Sequence, residues 1–79
     1  MWFQMLEKRS FSLSGHRTSV ALEPEFWGVL ERIAARRAQP VSALVRDLDS
    51  ARTAPRPLAS ALRVFALLYK DDEPAQSSF

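Results

Sequence analysis

Between residues 17 and 22 the chain reads RTSVAL, and polar and apolar side chains alternate. Thr18, Val20 and Leu22 fall on one face, Arg17, Ser19 and Ala21 on the other. A period of two with β-branched residues predicts a short strand with one buried face. Residues 10–14, SFSLS, alternate as well and form a possible second strand, interrupted by Gly15. Residues 1–9 lack strong periodicity and read as a flexible arm.

The period changes at Glu23-Pro24-Glu25. Proline suits the first turn of a helix, and the two acids complement the helix dipole. Apolar residues then recur with helical spacing at Phe26, Trp27, Val29, Leu30, Ile33 and Ala34. This helix should end near Ala38, because Pro40 disfavours helical geometry at Gln39. A second helix is expected from about Pro40 to Ala51, with Val41, Leu44, Val45 and Leu48 as a narrow apolar stripe. Residues 50–57, SARTAPRP, form a linker broken by Pro55 and Pro57. A third helix, from about Leu58 to Lys70, is apolar almost all round. Such a helix needs cover on several sides, more than a small monomer supplies. Residues 71–79, DDEPAQSSF, read as a disordered acidic tail. The expected organisation is an arm over 1–9, a domain over 10–70 and a tail over 71–79, mainly α with one short β-strand.

Size sharpens the need for cover. A chain of 79 residues makes one small domain, marginal on its own. It has no cysteine and a single histidine, His16, so neither a disulfide nor a metal site is expected to staple it, and no cofactor is expected. Oligomerisation is the remaining route to stability. The formal charge is +2, with Lys8, Arg9 and Arg17 near the N-terminus and Asp71, Asp72 and Glu73 in the tail. An anionic partner would prefer the N-terminal face. MWFQML, at residues 1–6, is too short for a signal core or a membrane span, which points to the cytoplasm and away from membranes.

A lone strand leaves its backbone groups unpaired, so residues 17–22 need a partner. Residues 10–13 could fold back through Ser14-Gly15 as a hairpin, with Phe11, Leu13, Thr18 and Val20 sharing a face. Alternatively, residues 17–22 pair with the same segment of a second molecule. The second arrangement is favoured because it also accounts for the surplus apolar surface of the third helix.

The order strand, helix, turn, helix, read as RTSVALEPEFWGVLERIAARRAQPVSALVRDL, resembles the ribbon-helix-helix family of DNA-binding proteins typified by Arc and MetJ. KRSFSLSGHRTSVALEPEFW together with SALRVFALLY resembles, more narrowly, an alphaproteobacterial subgroup of that family, over residues 8–69. The resemblance implies an intertwined homodimer with an intermolecular antiparallel β-ribbon and an extra C-terminal helix. It implies a nucleoid-associated transcriptional regulator, a repressor by expectation, whose ribbon enters the major groove of double-stranded DNA. The base-reading positions would then be Arg17, Ser19 and Ala21. Arg17 matches guanine with a bidentate fork, Ser19 donates or accepts, and Ala21 meets a thymine methyl. Phosphate contacts would fall to Lys8, Arg9, His16 and the helix start at Val41 and Ser42. The dimer core would comprise Val20, Leu22, Leu44, Leu48, Leu62 and Phe65. Assembly of higher order on DNA would be compatible with this. The turn departs from the family pattern: it has Ala38 where glycine is common, and Pro40 has no N–H to offer a phosphate.

Other classes fit less well. Ser10, Ser12, Ser14, His16 and Asp47 supply the residue types of a hydrolase triad, but no nucleophile elbow or glycine-rich phosphate loop accompanies them, and no enzyme is expected. The alternative is an antitoxin-like or other protein-interaction module, recruiting a protein through the arm or the tail.

Overall fold

The computed structural model describes residues 5–53 and 55–71. Its elements are β1 (Glu7–Leu13), β2 (His16–Leu22), α1 (Pro24–Arg36), α2 (Val41–Ala51) and α3 (Leu58–Tyr69). The chain therefore carries two strands where the sequence pattern predicts one. Glu7, Lys8 and Arg9, which in sequence read as part of an arm, belong to β1. The arm's first four residues and most of the acidic tail, from Asp72 onward, lie outside the described residues.

β1 and β2 form an antiparallel hairpin in which Phe11 faces Thr18 and Leu13 faces His16. One edge of residues 17–22 is thus paired within the same chain, by the hairpin that the sequence offers as the alternative to a second copy. The reason lies in the turn. Ser14 has φ 53° and Gly15 φ 80°, the two successive left-handed residues that a tight two-residue hairpin needs. Glycine adopts that geometry freely, and a short polar serine tolerates it. The strand begun by the alternation of residues 10–14 extends back through the polar residues 7–10 to Glu7, so β1 and β2 match at seven residues each.

One face of the hairpin is apolar. Phe11, Leu13, Val20 and Leu22 are buried on it, against Trp27, Leu30, Ile33 and Ala34 of α1, Leu44 and Val45 of α2, and Leu62 and Ala66 of α3. The helices pack on one another, α2 touches β1, and α3 touches β2. Val20, Leu22, Leu44 and Leu62 are at most 4% exposed within a single chain, and Leu48 and Phe65 pack on the same core. Within the single chain, β1 and α3 thus supply part of the cover that the sequence pattern assigns to a second copy.

α1 ends in a Schellman turn. The Gln39 N–H donates to Ala34 O and the Ala38 N–H to Ala35 O, each at 3.0 Å. Ala38 sits at φ 55°, where a Cβ costs about 1–2 kcal/mol. Ala38→Gly is expected to raise stability by about 0.5–1 kcal/mol in chemical denaturation, since glycine's greater freedom when unfolded offsets part of the relief.

Candidate nucleic-acid interface

Because opposed residues of an antiparallel pair share a face, the register decides which side chains point away from the helices. Lys8 faces Ala21, Ser10 faces Ser19, and Ser12 faces Arg17. The outer face thus gathers Lys8, Ser10, Ser12, Arg17, Ser19 and Ala21. It holds two cations, three hydroxyls and no carboxylate. Arg17, Ser19 and Ala21 lie together there, as the alternation of residues 17–22 predicts. Arg17 and Lys8 are exposed and make no ion pair with another described residue. Ser10 Oγ and Ser19 Oγ lie 3.3 Å apart across the strands, so the centre of the face is an uncharged hydroxyl pair.

Sequence reasoning misses the contribution of β1 to this face. It treats Ser10 and Ser12 only as polar members of a possible strand, and Lys8 as part of a flexible arm. The alternation of SFSLS carries the second half of the strand; residues 7–10, EKRS, are all polar and give no sequence signal for the first half.

Arg9 lies on the opposite face, across from Val20. Its guanidinium bonds Glu7 at 2.8 Å and Glu31 at 2.9 Å and sits 4.6 Å from the centre of the Trp27 ring. Partial burial would lower its pKa, but the hydrogen bonds to Glu7 and Glu31 outweigh that and hold it above the ordinary arginine value. Two carboxylates and an aromatic face occupy Arg9, so it is not placed to meet phosphate as expected from sequence. Arg9→Ala is therefore expected to cost about 1 kcal/mol of stability while leaving the salt dependence of any DNA binding unchanged.

The strand carrying Lys8 is anchored from below. Trp27 is 1% exposed, and its indole N–H donates to the backbone carbonyl of Glu7 at 2.8 Å. Its ring lies 5.9 Å from that of Phe11. β2 leads directly into α1, whose start is tied to α3 by an ion pair between Glu23 and Arg63 at 2.9 Å. The hydrogen bond from Arg63 holds the Glu23 carboxyl below its ordinary range.

The remaining positions are separate from this face. His16 is exposed at the start of β2, beside the turn and across from Leu13. Val41 and Ser42 open α2 after Pro40, with no acidic residue in the first turn. Their N–H groups are among those a helix leaves without intrahelical partners. The Val41 side chain packs on the core, so only its backbone is available to a ligand. Among the described residues no group of acidic, histidine or cysteine side chains is arranged to hold a metal ion, and no helix is long and apolar enough to cross a membrane.

A basic hairpin leading into two helices is the arrangement of a DNA-binding ribbon, and comparison with known proteins agrees. The ribbon-helix-helix domain model matches residues 6–70, and the chain belongs to that family, whose members are DNA-binding regulators. Among solved structures, the chain is similar to an uncharacterised protein from Bordetella pertussis Tohama I. The two share 34% sequence identity with a TM-score of 0.72, over 94% of this chain and 66% of that one. No functionally curated protein matches the chain.

Proposed function

We propose that this chain is a transcriptional regulator that reads double-stranded DNA by inserting its own hairpin into the major groove. The observation carrying this reading is the outer face of the hairpin, where Lys8 and Arg17 flank paired serines and no acid intervenes. Dimensions support it. Two strands lie about 5 Å apart, and the major groove is about 12 Å wide and admits a two-stranded ribbon. A four-stranded sheet made by joining two hairpins edge to edge would span roughly 15 Å between its outer strands before side chains are added. One hairpin per groove is the better fit.

Within this reading Arg17 is the base reader, because it alone on the face offers a bidentate fork. Lys8 meets phosphate as a point charge, and Ser10, Ser12 and Ser19 supply short-range hydrogen bonds. The α2 amides at Val41 and Ser42 are a secondary phosphate contact, reduced by the missing N–H of Pro40. Ala21 contributes shape.

The test is binding to random duplex DNA as a function of salt. Each neutralised phosphate contributes about −0.9 to the slope of log K against log salt. A slope of about −1 or steeper supports the reading; tight binding with no salt dependence would refute it. Selection from random sequences is then expected to return a short guanine-containing element.

A further inference from the structure

On the outer face the two strands are joined by one side-chain contact. Ser10 Oγ and Ser19 Oγ lie 3.3 Å apart, and either hydroxyl can be the donor. Both side chains are exposed, and neither has a further side-chain partner among the described residues. Lys8 and Ala21 flank the pair on one side, Ser12 and Arg17 on the other. The hydroxyls thus sit between the two cations of the face, one supplied by each strand.

A hydroxyl has one proton to donate and two lone pairs to accept with. When one serine donates to the other, its proton is spent. The pair then presents a free donor on one oxygen and an acceptor on its neighbour. That is the complement of an adenine edge, where N7 accepts and the N6 amino group donates. Guanine presents two acceptors there, N7 and O6, and the bonded pair has only one proton for them. Arg17 has the reverse preference, since its guanidinium donates and cannot accept.

We propose that Ser10 and Ser19 form one composite reader, drawn from both strands, that selects adenine over guanine at the purine it touches; this rests on the proposed insertion of the hairpin into the major groove. Each serine alone is a poor reader, because a single hydroxyl meets an acceptor or a donor equally well. The contact across the strands removes that freedom. Reach sets the position. Ser19 lies two residues beyond Arg17, roughly 7 Å along the strand at about 3.4 Å per residue. Base pairs are stacked about 3.4 Å apart, so the adenine falls roughly one or two steps from the guanine read by Arg17.

The experiment is selection from random duplex DNA, followed by anisotropy titration of the site obtained. The native chain is expected to bind the site with adenine about tenfold more tightly than the same site with guanine in its place. Ser10→Ala leaves Ser19 free to rotate and is expected to bring that ratio close to parity, with the preference for the Arg17 guanine kept. Ser10→Thr restores the hydroxyl in a residue suited to a strand and is expected to restore the ratio. Replacing the adenine by 7-deazaadenine, which lacks the N7 acceptor, is expected to weaken native binding about three- to tenfold.

A serine pair that only joined the strands would leave the ratio unchanged in Ser10→Ala, and that result overturns the composite reader. Indifference of the native chain to 7-deazaadenine overturns it as well. A selected site that keeps the guanine but shows no preference for adenine beside it sinks this inference alone. Failure to select any sequence sinks the groove reading together with it.

Discussion

Replacing Trp27 by alanine is expected to remove most of the stability of this domain. Truncating a buried tryptophan costs about 3–5 kcal/mol. A domain of this size has a total near the lower end of roughly 5–15 kcal/mol. Trp27 is also the point where three interactions meet: the carbonyl of Glu7 at 2.8 Å, the ring of Phe11 at 5.9 Å and the guanidinium of Arg9 at 4.6 Å. The more informative variant is Trp27→Phe. It keeps an aromatic core but leaves the Glu7 carbonyl without its indole donor, at a cost of about 1–3 kcal/mol. Urea denaturation followed by circular dichroism measures both. If Trp27→Phe were as stable as the native chain, the bond to Glu7 would not anchor β1. The core then acts on function at a distance, because the residue it holds is the direct neighbour of Lys8.

Arg17→Ala is expected to reduce binding to a selected DNA site about 10- to 100-fold while changing binding to random DNA much less. That reduction corresponds to about 1–3 kcal/mol for a bidentate contact to guanine. Lys8→Ala is expected to behave in the opposite manner. It weakens specific and random binding alike and makes the salt slope shallower by about 0.9 for each phosphate left without its cation. Fluorescence anisotropy at several salt concentrations separates the two patterns. Both side chains are exposed and have no ion-pair partner among the described residues, so neither change should disturb the fold. Equal weakening on both kinds of DNA for Arg17→Ala would reassign that residue to the phosphate backbone.

The residues of the outer face are legible in the sequence to different degrees. Alternation alone places Arg17, Ser19 and Ala21 on one side of a strand, because a period of two leaves no other choice. It does not reveal the partner strand. SFSLS is a visible candidate, but the Ser14-Gly15 turn is a weaker signal than the asparagine-glycine pair usual at such turns. The three helices are legible to within about two residues, since their apolar stripes are long and prolines bracket them. Arg9 is misplaced by sequence for a different reason. Charge in sequence says nothing about whether carboxylates at Glu7 and Glu31 converge on it, and that convergence is set by tertiary packing. The burial of Leu22, Leu44 and Leu62 within one chain has a related origin. The additional strand and the in-chain packing of α3 supply part of the cover that a bare strand-helix-helix unit would take from a second molecule.

The in-chain hairpin also separates two quantities that an intermolecular ribbon ties together. When a ribbon is shared between subunits, folding is a bimolecular event, and dilution unfolds the protein as well as dissociating it. Here the strands, the turn and the buried face all belong to one polypeptide. The hairpin can therefore close without an encounter between two molecules, across a two-residue turn. Its closure should be independent of protein concentration, whatever a second copy adds to the stability of the whole domain.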